Sequence, residues 1–290
     1  MRRKPYALIV AGLTVLVTLA VASPAFADLL SPESGGSPNA DRIDTLYWVI
    51  FSIALVIFAG VEGTLLYSVI KFRARKGAVA AQIHGNSRLE VGWTAGAAVI
   101  VVGLAVVTFA LLPGIRHPAT SSASGLKLTE GVQYSLTGPA SDRPKDGKSL
   151  HVCVNGQQYL WRFTYTPDCS KNDFSAPFSY YRMVVPVDTT VTLEITSQDV
   201  AHSWWVPQLG GKFDAVPGYV NRTWFKVPAK LAGKTFAGHC AELCGRNHAN
   251  MNAQVQAVTP AQFTAWLKRQ KTTTSTADNA AEQQRKQYSQ

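Results

Sequence analysis

Residues 239–251, His-Cys-Ala-Glu-Leu-Cys-Gly-Arg-Asn-His-Ala-Asn-Met, crowd soft and borderline metal ligands into one loop-sized stretch. Cys240, Cys244, His248 and Met251 follow one another at spacings of four, four and three. Thiolate, imidazole and thioether favour copper or zinc over hard, oxygen-seeking cations. A blue-copper ion takes one thiolate. A second cysteine four residues on therefore leaves two arrangements, a tetrahedral zinc or two coppers bridged by two sulfurs. A further ligand lies upstream in Asp199-Val200-Ala201-His202-Ser203-Trp204. The pooled set is two cysteines, two histidines, one methionine and the Glu242 backbone carbonyl, enough for two coppers with different weak axial ligands.

The elements that must position this set begin with a membrane anchor. The apolar residues of the 290-residue chain are gathered toward its N-terminal end, which predicts an anchor followed by a soluble domain. Met1-Arg2-Arg3-Lys4, the uncharged run Tyr6 to Ala22 and the small-x-small Ala25-Phe26-Ala27 read as a signal peptide over 1–27. The rival reading is a retained first membrane helix. A flexible lead-in over 28–44 follows. The apolar runs 45–70 and 91–112 each reach the roughly 20 helical residues that cross a bilayer, giving a transmembrane hairpin over 45–112. Lys71, Arg73, Arg75 and Lys76 make the loop 71–90 cytoplasmic by the positive-inside rule, so both ends of the hairpin face the periplasm of a bacterial plasma membrane. Glu62 is costly inside a span and points to a protein neighbour in a larger membrane complex.

Residues 113–148 read as an exposed linker, and residues 149–270 as short β runs. Thr190 to Thr196 alternates, with Val191, Leu193 and Ile195 on one face and Thr192 and Glu194 on the other. Met183–Val187, Tyr219–Val227 and Met251–Val258 are further strands, and so many short strands indicate a sandwich or Greek-key barrel. Thr259 and Pro260 open a closing helix on which Phe263, Trp266 and Leu267 share a face. The tail 271–290 has no apolar period and is expected to be disordered. Of the four cysteines, Cys153 and Cys169 lie outside the metal loop. In an oxidising compartment they either pair or remain unrelated thiols. The net charge of +10 is dispersed apart from clusters beside the apolar spans, and no nucleic-acid motif accompanies it. It is therefore read as topology and solubility. There is no Cys-x-x-Cys-His, so no c-type haem is fused to the chain.

The stretch Cys240-Ala241-Glu242-Leu243-Cys244-Gly245 with His248 and Met251, preceded by Asp199-Val200 and His202-Ser203-Trp204, resembles the dinuclear copper A site of cytochrome c oxidase subunit II. His84-Gly85-Asn86, Leu89-Glu90 and Trp93-Thr94 carry a second likeness, which in all spans Thr45 to Lys268. The resemblance implies a two-helix transmembrane hairpin bearing an all-β, cupredoxin-like Greek-key sandwich or barrel. It implies Cys240 and Cys244 as bridges and His202 and His248 as nitrogen ligands. Met251 and the Glu242 carbonyl would be weak axial ligands. The Glu242 side chain would also reach a magnesium ion at the boundary with subunit I. The segment Lys212 to Gly218 would lie against that subunit, with Asp214 ordering water and ions. Glu90 would sit at the mouth of a proton-conducting channel of subunit I; from the residues alone it reads equally as a helix-start carboxylate favoured by the dipole.

Tyr159, Trp161, Phe163 and Tyr165 alternate, so in a strand they share a face. The family's aromatic ribbon is often Gln-Trp-x-Trp and takes the electron at its first Trp. Here Tyr159 stands in that place and Trp161 in the second, and both are candidates for the electron port. Phe163 reads as core. His239 falls where the family places no ligand and reads as surface.

As a member of this family the chain would accept electrons from cytochrome c at two copper ions and pass them to haem, held only in the partner subunit I. Oxygen would be reduced to water there and protons pumped. Subunits I and III, cytochrome c and the membrane are the implied partners, and no catalytic residue of oxygen reduction is expected in this chain. Two alternatives belong to other classes. One is a membrane-tethered copper relay for another reductase, such as one acting on nitric oxide. The other is a structural zinc domain held by His239 or His202 with Cys240, Cys244 and His248. Because basic residues outnumber acidic ones in the soluble part, docking calls for either a local acidic patch, from Asp168, Asp173 and Asp188, or an acidic donor.

Overall fold

Alternation along β1 (Leu150–Gln157) turns Leu150, Val152 and Val154 inward and leaves His151, Cys153 and Asn155 on the opposite face. The same period recurs in β2 (Leu160–Thr164), which buries Trp161 and Phe163, and in β5 (Thr190–Ser197), which turns Val191, Leu193 and Ile195 into the core. The computed structural model describes residues 31–74, 77, 79, 82, 84–127, 143–170 and 176–288. The expected signal peptide, 1–27, lies outside the described residues.

The remaining strands are β3 (Phe178–Tyr180), β4 (Arg182–Pro186), β6 (His202–Trp205), β7 (Phe213–Ala215), β8 (Asn221–Lys226), β9 (Thr235–Cys240) and β10 (Asn252–Val258). They form two five-stranded sheets, in the orders β3-β2-β1-β5-β8 and β4-β10-β9-β6-β7. Each sheet has one parallel pair, β1 with β5 and β4 with β10, among antiparallel neighbours. Of the two expected architectures this is the sandwich. Met183, Val185, Phe236, Val255 and Ala257 from the second sheet meet the core face of the first. Each large side chain fully withdrawn from water contributes about 1.5–3 kcal/mol.

Two long helices precede the sandwich, α1 (Pro38–Lys71) and α2 (Ser87–Arg116), with mean hydropathies of 2.3 and 2.6 over their most apolar windows. Both outrun the expected spans. Asn86 caps α2, its side chain accepting from the Leu89 amide, and the helix continues past Pro113 because a proline there removes only one late hydrogen bond. Glu90 lies in the first turn of α2, and Glu62 is exposed on α1.

Three expectations are corrected. The lead-in 28–44 is not flexible where it is described: Ser37, Asn39 and Ala40 are buried. The Asn39 amide donates to the Trp224 carbonyl at 2.8 Å, and the Lys226 amide donates to the Ser37 hydroxyl at 3.0 Å, which ties the start of α1 to β8. The linker 113–148 is partly packed. The Thr190 hydroxyl donates to the Ala119 carbonyl at 2.5 Å and the Thr190 amide to the Ser121 hydroxyl at 3.0 Å. The tail read as disordered is helical, because α3 runs from Pro260 to Tyr288. Alanine, glutamine, lysine, arginine and glutamate are good helix formers, so the missing apolar period excluded a packing face and not a helix.

Candidate metal centre

His202 opens β6, and its partner across the strand pair Trp204–Cys240 brings the end of β9 beside it. The loop after β9 turns back through a 3-10 turn at His248–Asn250 into β10. Two backbone bonds close it, from the Cys240 amide to the Met251 carbonyl at 2.9 Å and from the Ala241 amide to the Ser203 carbonyl at 2.8 Å. Gly245 adopts φ +127, which an L side chain rarely tolerates, and a Cβ there would stand 2.7 Å from the Tyr159 hydroxyl.

This backbone brings all six expected ligands together. The two sulfurs, Cys240 Sγ and Cys244 Sγ, are 3.9 Å apart. His202 Nδ1 lies 3.8 Å from the first and His248 Nδ1 lies 3.5 Å from the second. Met251 Sδ is 3.8 Å from Cys244 Sγ, and the Glu242 carbonyl is 3.2 Å from Cys240 Sγ. His202 and Met251 are fully buried, Cys240 and Cys244 nearly so, and His248 is half-buried.

The donor chemistry fits a soft cation. Burial pushes the Cys244 thiol up to about 11, and the neighbouring Cys240 adds to the rise. Two thiolates side by side in a dry pocket are unfavourable until a cation offsets them. Asp199 fixes the tautomer needed on the other side: its Oδ1 lies 2.9 Å from His202 Nε2, leaving Nδ1 for the sulfur-lined pocket. Partial burial works to raise the Asp199 carboxyl. Hydrogen bonds from the Gln158 amide, His202 and the Val200 amide outweigh that and hold it at about 2, so it is ionised across the ordinary pH range.

The other expected residues fall as follows. Trp161 is fully buried and stands edge-on to His202, ring centroids 5.9 Å apart. A docking protein therefore cannot touch it. Tyr159 is half-buried, beside Gly245 of the metal loop. The Glu242 side chain is exposed, and so is Leu243, by 78 %. His239 is exposed and packs edge-on against Trp205, as expected of a surface residue. Asp214 lies on β7, where its carbonyl accepts from the Asn221 amide at 2.6 Å. Of the suggested acidic patch, Asp173 lies outside the described residues. Asp168 accepts from the Ser170 hydroxyl, and Asp188 accepts from Ser124 and from the Ala229 amide.

Sequence reasoning assigned no supporting role to three residues that have one. Asp199 is one; the Asp-x-x-His spacing carried the signal. Gln158 is another, its amide donating to the Cys244 carbonyl at 2.7 Å. The third is Gly156, where a Cβ would lie 3.0 Å from His202 Cδ2 and 3.1 Å from the Trp161 ring.

The family model for the periplasmic domain of cytochrome c oxidase subunit II matches residues 168–258, and that for its transmembrane domain matches residues 28–111. Subunit 2 of the oxidase from Cereibacter sphaeroides is 31% identical over 273 residues, covering 89% of this chain and 88% of the relative. The chain belongs to the cytochrome c oxidase subunit II family. A probable subunit 2 from Rickettsia bellii (strain RML369-C) is 30% identical over 271 residues, covering 88% of this chain and 89% of its own. Among solved structures, the periplasmic domain of subunit II of the Bradyrhizobium japonicum oxidase aligns with a TM-score of 0.38 at 30% identity, covering 43% of this chain and 96% of that one. As a subunit II chain it is an electron-transfer component of a haem-copper oxidase complex that contains other subunits. It crosses the membrane twice and carries its β domain on the extracytoplasmic side. The buried His202, Cys240 and Cys244, with ligand atoms within 4.8 Å of one another, together with the family, point to copper.

Proposed function

We propose that this subunit takes electrons from cytochrome c at a dinuclear copper centre and delivers them to haem in subunit I, where oxygen is reduced to water and protons are pumped. Cys240, Cys244, His202 and His248 would hold the two copper ions, the imidazoles offering Nδ1, with Met251 and the Glu242 carbonyl as weaker donors. The observation that carries this reading is the 3.9 Å pair of buried sulfurs with an imidazole Nδ1 beside each. When bound, two coppers sharing one electron across two thiolates supply one-electron chemistry with little change in bond lengths.

The protein's own part is to hold that geometry still. Asp199 aims His202, Gln158 ties the Cys244 carbonyl to the β1–β2 turn, and Met251 anchors the loop in the core. For the electron port we favour the half-buried Tyr159, since Trp161 is fully buried against His202. The exposed Glu242 carboxylate is free to face a magnesium ion at the subunit I boundary. Glu90, in the first turn of α2, is assigned to proton uptake on the cytoplasmic side.

The test is copper loading of the full-length chain in detergent. Two coppers per chain, a near-infrared band and the seven-line hyperfine pattern of one electron shared by two equivalent copper nuclei are expected. One zinc and no colour, or an ordinary four-line copper signal, overturns the reading.

A further inference from the structure

A second set of soft ligands stands on the outer face of the first sheet. His151 and Cys153 alternate on β1, opposite in direction to the core residues Val152 and Val154. Cys169 reaches over from the segment after β2, and a disulfide joins it to Cys153, with Cα atoms 5.6 Å apart. The three ligand atoms lie within 4.8 Å of one another.

His151 is 1% exposed and held by a short relay. Its Nδ1 lies 3.2 Å from the Thr192 hydroxyl, which lies 3.0 Å from the Ser149 hydroxyl. That leaves Nε2 aimed at Cys169 Sγ, 3.2 Å away. An imidazole nitrogen is poorly matched to a disulfide, whose sulfurs carry no proton and accept only weakly. It is well matched to a thiol, a thiolate or a cation. A buried histidine oriented through one nitrogen with the other turned to sulfur is the arrangement of a metal ligand supported from behind.

The surroundings fit the same chemistry. A cavity of about 310 Å³ opens on the disulfide and is lined by Cys153, Cys169, Asp168 and Glu194 among others. It admits a reductant to the sulfurs and leaves room for a water as a fourth ligand. Glu194 is 8% exposed and ion-paired with Arg222 at 3.2 Å, so one carboxylate already has a compensating charge. Two thiolates neutralise a divalent cation, whereas a monovalent one would leave a net negative charge beside the buried His151 and Glu194.

We propose that Cys153, Cys169 and His151 form a second metal site, for a zinc-class divalent cation, that the disulfide keeps closed and its reduction opens. An external dithiol supplies the two electrons. One of its thiolates attacks a disulfide sulfur, the Cys153–Cys169 bond breaks, and the other cysteine leaves as thiolate and takes up a proton. The second thiol of the reductant then resolves the mixed disulfide, leaving two cysteine thiols on this chain and a disulfide on the reductant. The cation displaces the two thiol protons and binds Nε2 of neutral His151, with tetrahedral coordination completed by water.

The experiment uses the copper-loaded full-length chain in detergent, reduced anaerobically with a water-soluble phosphine, freed of it and titrated with cadmium as a spectroscopic stand-in for zinc. The thiolate-to-cadmium absorption is expected to show one more equivalent bound than in the oxidised chain, with the copper content of the loop, counted by elemental analysis, unchanged. His151→Gln should weaken that extra binding by at least about tenfold, and Thr192→Val should weaken it with all three ligands still present. The double variant Cys153→Ser with Cys169→Ser should lose it. Equal cadmium uptake before and after reduction, extra uptake that survives in the double variant, or a disulfide that resists the phosphine while the chain stays folded overturns the proposal. Loss of copper from the loop would bear on the proposed function alone, since the two sites share no ligand.

Discussion

Asp199 Oδ1 stands 2.9 Å from Nε2 of His202, a ring with no exposed surface, while the opposite ring nitrogen faces Cys240 Sγ at 3.8 Å. The carboxylate thus decides which nitrogen is offered to a metal. It is held ionised by donors that reach it from Gln158, His202 and Val200.

Asp199→Asn keeps the side chain's size and removes its charge. Copper affinity is expected to fall about 10–100-fold, with a shifted copper spectrum and little change in the melting temperature of the metal-free chain. Competition against a chelator measures the first, and a thermal melt the second. Unchanged copper retention would deny Asp199 its orienting role.

Gly156→Ala places a Cβ 3.0 Å from the His202 ring and 3.1 Å from Trp161, both of which are fully buried. Neither ring has room to retreat. Stability should drop by about 1–3 kcal/mol, with copper held less firmly, as read from denaturant midpoints and copper content.

Tyr165→Phe tests a different buried contact. The phenol donates to the Val184 carbonyl at 2.9 Å and accepts from the Val184 amide at 2.8 Å, so its loss strands both backbone groups in the core. A loss of roughly 2–4 kcal/mol is expected in urea unfolding, from about 1–3 kcal/mol per stranded group. Burial also raises the phenol's pKa well above 10. The unfolded chain therefore ionises first, and wild-type stability should decline as pH climbs past about 10, a decline that Tyr165→Phe removes.

His151 has its pKa lowered from 6.5, chiefly by burial, with Glu194 working in the opposite direction. Between the folded value and 6.5 the unfolded chain binds the extra proton. Stability is thus full above 6.5 and is lost as pH falls through the folded value. Melting temperatures taken from neutral to mildly acidic pH should fall less steeply in His151→Gln than in the wild type. Parallel slopes would remove His151 from the account.

Met251 is fully buried, so Met251→Leu, a nearly volume-conserving change, should cost less than about 1.5 kcal/mol of stability. If its sulfur is an axial ligand, the copper remains bound while its absorption and potential shift. A copper centre indistinguishable from the wild type would make Met251 a core residue and nothing more.

Much of the protein was legible from spacing alone. The intervals joining Cys240, Cys244, His248 and Met251 place these ligands on one short loop, and local chain geometry leaves that loop few ways to arrange them. Two long apolar runs, one interrupted only by Glu62, declare the membrane helices because the bilayer admits little else. The Val191, Leu193, Ile195 alternation is likewise a local property, since a strand's faces are set by its own backbone. What the sequence could not determine were relationships between distant residues. Whether Cys153 and Cys169 pair depends on how the segment after β2 folds back over β1. The burial of Trp161 against His202 depends on two sheets closing face to face, and the anchoring of Ser37 and Asn39 depends on β8 lying beside the start of α1. Short-range spacing is fixed by covalent geometry, whereas contacts across many tens of residues exist only once burial of the common core has brought the elements together.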